Sequence, residues 1–176
     1  MKAPLNKTDL YFDTWSLVKE ARKVGLKVKV LSAQANTIEF YYEGEYRYII
    51  GGRLGRLPYF AYNFCHRKDY TYLILGRENL PIPKHTVVSS VKEAGDKQDK
   101  ICFPCTVKVV SGTGGYGVYT DINSPSRLQK SVRHALDYGN TVMIEENLKG
   151  DDYRLLATPQ KLVHAVKRLP ARVTGD

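Results

Sequence analysis

Phe103-Pro104-Cys105-Thr106-Val107-Lys108-Val109-Val110-Ser111-Gly112-Thr113-Gly114-Gly115-Tyr116-Gly117 is the stretch on which the reading turns. Phe103 to Val110 is β-prone and predicts a strand. Ser111 to Gly117 predicts a glycine-rich loop, and Val118 to Ile122 reads as strand again. Gly112, Gly114 and Gly117 satisfy G-x-G-x-x-G, a weak pattern by itself. A dinucleotide fingerprint needs a helix directly after the glycines, because the pyrophosphate rests on that helix N-terminus. Here a β-prone run follows, and helical periodicity begins only near Ser126. A Walker loop needs Gly-Lys-Ser/Thr at its end, which is absent. A β-hairpin whose tip folds over phosphates fits better, since glycines let backbone N–H groups approach oxygens closely. Lys108, four residues before Gly112, would add positive charge; a strand-interior lysine is costly unless an anion meets it. Protein kinases place their lysine on the strand after the loop, the reverse order. The competing reading is an exposed hairpin with a solvated lysine.

Downstream, Ser126 to Tyr138 has helical periodicity through Leu128, Val132, Ala135 and Leu136. Val142-Met143-Ile144 is a short apolar strand running into Glu145-Glu146-Asn147-Leu148, and Gly150-Asp151-Asp152-Tyr153-Arg154 follows. Carboxylates ending an apolar strand can read a purine edge and a ribose; taken alone, a charged turn explains them better. Tyr153 to Thr158 and Lys161 to Lys167 are strand-like.

Upstream, Asp13 is expected to cap a helix from about Thr14, with Trp15, Val18 and Ala21 on one face and Gly25 as its stop. Lys27 to Leu31, Thr37 to Tyr42 and Glu45 to Ile50 read as strands, with Glu43-Gly44 as a hairpin turn. Gly51, Gly52 and Gly55 form a loose basic loop with Arg53 and Arg56. Pro58 to Gly76 reads as one or two buried helices. Pro81-Ile82-Pro83 marks a boundary, and Ser89 to Ala94 a short helix.

The 176 residues, 43% hydrophobic and 26% charged, suffice for one compact domain or two small lobes. A net charge of +9 favours polyanionic partners without choosing among nucleotide, nucleic acid and anionic membrane. No stretch approaches the roughly 20 apolar residues of a membrane span, and the start carries no signal-peptide core; a cytoplasmic location is expected. The three cysteines are odd in number and argue against a disulfide framework. Cys102-Phe-Pro-Cys105 runs into a strand rather than opening a helix, so it reads as ordinary strand and loop thiols, not a redox pair or zinc site.

Taken in order, Phe103 to Lys108, the glycine loop, Ile144-Glu145-Glu146 and Gly150 to Leu156 resemble the ATP-grasp superfamily. Arg168-Leu169-Pro170-Ala171-Arg172-Val173-Thr174-Gly175-Asp176 is similar to the corresponding segment of cyanophycin synthetases and of the ligase domain of bifunctional glutathione synthetases. The resemblance covers about 68–176. It implies an α/β fold of mixed or antiparallel sheets, divided as a preceding α/β domain (1–80), a nucleotide-covering lobe (81–148) and the beginning of a second lobe (149–176).

The resemblance further implies an ATP-dependent carboxylate–amine ligase, with an amino acid or peptide as substrate and an acyl phosphate as intermediate. By position, Lys108 would contact the ATP phosphates, and so would Lys68, although Arg67-Lys68-Asp69 inverts the family's Asp-Lys order. Gly114, Gly115 and Gly117 would close the phosphate loop. Glu145 would meet the adenine amino group, Glu146 and Leu148 would give hinge backbone contacts, and Asp152 would hold the ribose. Arg168 is the candidate catalytic cation, and Arg154 the candidate substrate contact. The family's magnesium ligands follow the Gly-Asp motif, so Mg2+ would be held by residues outside this sequence. The sequence taken alone is therefore expected to dock ATP weakly at most and not to complete ligation. Two other classes compete: a nucleotide-binding or regulatory module without chemistry, and, more weakly, a basic nucleic-acid-binding domain stacking bases on some of the 13 tyrosines. Exposed apolar surface on an unfinished lobe predicts self-association.

Overall fold

The computed structural model describes residues 10–55, 58–169 and 175. Arg56 and residues 170–174 and 176 of the family-like terminal segment lie outside the described residues. The chain divides into two compact units, Met1–Cys65 and His66–Asp176.

In the first unit, α1 (Phe12–Lys23) precedes β1 (Val28–Ser32), β2 (Thr37–Tyr42), β3 (Glu45–Ile50) and the short β4 (Arg53–Leu54). The four strands form an antiparallel meander in sequence order. The β2–β3 turn has Glu43 at φ +51° and Gly44 at φ +81°, as a two-residue turn matched to strand twist demands. α1 begins at Phe12, two residues before the expected start. Asp13 lies inside its first turn, and its Oδ1 accepts from the Thr14 amide at 2.6 Å. Gly25 ends the helix at φ +83°. Val18 packs in a small core with Leu10, Ile38 and Ile49. α2 (Tyr59–His66) closes this stretch and runs one residue past the division between the units.

The second unit opens with α3 (Lys68–Arg77). Arg67, extended at φ −105° and ψ 120°, separates it from α2. Pro58 to Gly76 therefore forms helices as expected, but none of the residues in α2 or α3 is fully buried. Their Tyr, Phe and Leu content raises hydrophobicity without fixing what covers each side chain.

Then come β5 (His85–Val88), α4 (Val91–Asp96), a 3-10 turn at Gln98–Lys100, β6 (Cys105–Val109), β7 (Val118–Ile122), α5 (Pro125–Leu136) and β8 (Val142–Glu146). The sheet order is β5-β8-β6-β7, and every pairing is antiparallel. Both helices over it are capped by sequence. Ser90 Oγ accepts from the Glu93 amide and Ser124 Oγ from the Arg127 amide, with Pro125 at the first turn of α5. α5 has the sharpest amphipathic pattern and buries Leu128, Val132 and Ala135.

Strand alternation then divides the sheet into two faces. Cys105, Val107 and Val109 of β6 and Val142 and Ile144 of β8 join the α5 residues, Val88, Ala94 and Ile122 in one core. The intervening residues, Thr106 and Lys108 on β6 and Met143 and Glu145 on β8, stand on the opposite face. The last elements, β9 (Asp152–Ala157) and β10 (Leu162–Arg168), make a separate antiparallel hairpin whose residues are all exposed.

Candidate nucleotide site

Register brings the central charges together. Thr106 pairs with Glu145 and Lys108 with Met143, so Lys108 and Glu145 are diagonal neighbours on one face, within reach of a long side chain. Lys108 Nζ lies 2.6 Å from Glu145 Oε1, and the two side chains are 15% and 11% exposed. The anion that a strand-interior lysine requires is thus supplied by the chain itself. Tyr72, from α3, closes a ring. Its hydroxyl donates to Glu145 Oε2 at 2.8 Å and accepts from Lys108 Nζ at 3.2 Å. Burial, then the hydrogen bond and charge of Glu145, push the Tyr72 phenol well above its usual pKa. The His85 ring meets the Tyr72 ring edge-on at 4.9 Å, and His85 pairs with Glu145 across β5 and β8.

Lys68 sits one helical turn before Tyr72. Its Nζ donates to three carbonyls, Val109 O at 3.0 Å, Val110 O at 3.3 Å and Gly112 O at 3.0 Å. It therefore ties α3 to the start of the glycine loop. Burial, then repulsion from Lys108, lowers its pKa. The loop connects β6 to β7 as a hairpin, with Lys108 opposite Val118. Gly114, Gly115 and Gly117 have φ of +71°, +82° and +64°. A Cβ at Gly115 would meet nothing within 4 Å, whereas one at Gly117 would press on Val109 at 3.1 Å and Tyr138 at 3.3 Å. Tyr116 and Tyr138 stack at 6.4 Å at the loop's base.

At the hinge, Glu146 is locked to Lys84: the Glu146 amide donates to Lys84 O, and Glu146 Oε1 accepts from the Lys84 amide, both at 2.9 Å. Asn147 gathers the strand ends. Its amide donates to Pro104 O at 3.2 Å, its Oδ1 accepts from Thr106 Oγ1 at 2.8 Å, and its Nδ2 donates to Asp121 Oδ1 at 2.7 Å. Leu148 projects as an exposed side chain. A shallow cleft opens beside the hinge, lined by Lys84, His85, Thr86, Lys100, Ile101, Cys102, Ile144, Glu145 and Glu146. It adjoins the carboxylate end of the site; Lys108 and the glycine loop do not line it. Cys102 is exposed and Cys105 buried, and both are free thiols; burial pushes Cys105 up to about 11.

The structure therefore brings Lys68, Lys108, Glu145 and the start of the glycine loop together. Asp152 and Arg168 stand apart as cross-strand partners in the β9–β10 hairpin, 3.2 Å between charged atoms and both more than half exposed. Arg154 pairs with Val166 on the same hairpin and is exposed. Sequence reasoning missed Tyr72 and Asn147. The signal for Tyr72 was its i, i+4 spacing from Lys68 on α3.

No family model matches the chain. A bifunctional glutathione synthetase from Pasteurella multocida superposes with a TM-score of 0.56 at 18% identity, over 92% of this chain and 23% of that one. The chain has an ATP-grasp fold. In sequence, this chain is 30% identical over 166 residues to a cyanophycin synthetase of Crocosphaera subtropica, covering 93% of this chain and 19% of that protein. It is 27% identical over 178 residues to the glutathione biosynthesis bifunctional protein GshAB of Listeria welshimeri, covering 96% and 22%. The chain thus spans about a fifth of the length of the curated relatives it matches. Among the described residues no helix is long and apolar enough to cross a membrane.

Proposed function

We propose that this chain forms the ATP-binding part of an ATP-dependent carboxylate–amine ligase whose substrate is an amino acid or peptide. The observation that carries the proposal is Lys108, placed on β6 directly before the glycine loop and held against Glu145 at the hinge end of β8. In the free chain Glu145 neutralises Lys108. When nucleotide arrives, the ammonium turns to the phosphate oxygens and Glu145 Oε1 becomes free to accept from the adenine amino group. Gly114, Gly115 and Gly117 give the loop the positive-φ backbone that lets amides converge on phosphate. Lys68 holds the loop's first carbonyls in place and adds charge nearby. Glu146 and Leu148 supply the hinge, and Asp152, released from Arg168, holds the ribose. Arg168 then faces the transferring group, and Arg154 the substrate.

The chemistry proposed is two displacements. A substrate carboxylate oxygen attacks the γ-phosphorus and ADP leaves, giving an acyl phosphate. An amine then attacks the acyl carbon and inorganic phosphate leaves. Mg2+ commonly supplies charge stabilisation in such phosphoryl transfers. Among the described residues no group of three or more His, Cys, Asp or Glu converges to hold a metal ion.

Photolabelling with 8-azido-ATP tests the base position. Label is expected in the peptide spanning Ile144 to Leu148, with competition by excess ATP. Label scattered over the chain and unmoved by ATP would contradict the proposal.

A further inference from the structure

We infer that Tyr72 is a positioning residue for base recognition: it holds the Glu145 carboxylate in the orientation that accepts from an adenine amino group after Lys108 has left. The inference rests on the nucleotide reading above. Its own basis is the closed ring of three hydrogen bonds among Tyr72, Lys108 and Glu145. Each member of that ring has a different fate when a nucleotide binds. Lys108 is the mobile one, a cation on a four-carbon stem that an added anion attracts. Glu145 then loses its ionic partner while remaining largely buried, at 11% side-chain exposure. A carboxylate in that position needs donors. Tyr72 supplies one on Oε2, and besides its two contacts with Lys108, through the hydroxyl and over the ring, it has anchors of its own. Its ring is flanked edge-on by His85 at 4.9 Å, and its backbone belongs to α3. With Oε2 held by a neutral hydroxyl, Oε1 is the oxygen that Lys108 vacates.

The chemistry of the vacated oxygen sets the ligand class. An ionised carboxylate accepts hydrogen bonds only. A 6-aminopurine places an N–H donor against it; a 6-oxopurine places a carbonyl oxygen there, which is repelled. Because Tyr72 donates and has its pKa pushed upward, it stays protonated and keeps Glu145 in the acceptor role. Tyr72 therefore acts through Glu145 on the choice of base, not on phosphate affinity.

The test is calorimetric binding of ATP and GTP to the full chain and to Tyr72→Phe, Glu145→Gln and the double variant, with thermal unfolding as the check on folding. Tyr72→Phe removes one hydrogen bond to a charged group and is expected to weaken ATP about tenfold. GTP binding should change less than about threefold, so the ATP-to-GTP preference falls; a general loss of structure would weaken both nucleotides alike. In the Glu145→Gln background the same substitution should cost less than about twofold, because a residue acting through another shows no separate effect once that one is changed. ATP bound equally by the parent and Tyr72→Phe overturns the inference alone. So does an equal tenfold loss in both Glu145 backgrounds. Absence of ATP binding by the parent chain overturns the nucleotide reading itself, and Tyr72's role with it.

Discussion

Lys108→Met is expected to lower the stability of the chain by about 3 kcal/mol in urea unfolding, and adding Glu145→Gln to return most of that loss. The expectation follows from the ion pair's burial. Both side chains are less than a sixth exposed and sit 2.6 Å apart. Removing one partner of a buried pair leaves a charge that has been desolvated without compensation, a cost on the order of 3–5 kcal/mol. Met keeps the stem's packing, so the loss reports charge rather than a cavity. Gln at position 145 carries no charge, so the double variant leaves no ion stranded. Far-UV circular dichroism is the suitable probe, since Trp15, the one tryptophan, lies in the other unit. A double variant no more stable than Lys108→Met would mean that the pair contributes through packing and not through charge.

The second large effect is Leu128→Ala, expected to cost about 3 kcal/mol. Leu128 is 1% exposed on the inner stripe of α5 and packs in the core formed with β6 and β8. Truncation removes apolar burial and leaves a cavity that a well-packed helix–sheet layer fills only in part. Leu155 on β9 makes the control: it is 62% exposed, and Leu155→Ala should change stability by about 0.5 kcal/mol or less. Equal losses for both, measured by the same unfolding curves, would contradict the division of the unit into a packed sheet layer and an outlying hairpin.

Local signals in the sequence carried most of the fold. Glu43-Gly44 marked a turn because φ above zero is cheap at glycine. The apolar spacing of Leu128, Val132 and Ala135 marked the inner face of a helix from about Ser126; the Ser124 cap and Pro125 that start it one residue earlier emerged only in the structure. Lys108 and the glycine loop were legible as a strand–loop–strand unit for the same reason. What stayed hidden depends on long-range register. Glu145 reaches Lys108 because it pairs with Thr106, two residues before the lysine on the same face of β6, and Tyr72 joins them from 36 residues before Lys108 and 73 before Glu145. The pairing of Asp152 with Arg168 follows from the β9–β10 register, which the sequence pattern alone leaves free. The helices around Pro58 to Gly76 show the same limit: their apolar content was legible, their incomplete burial was not.

Calorimetric titration of the chain with ATP and magnesium, set beside the same titration of Lys108→Ala, tests the nucleotide site most directly. The account predicts binding by the parent chain and a loss of at least about tenfold, or 1.4 kcal/mol, in the variant. Equal affinity in the two proteins, or no binding by either, would contradict it.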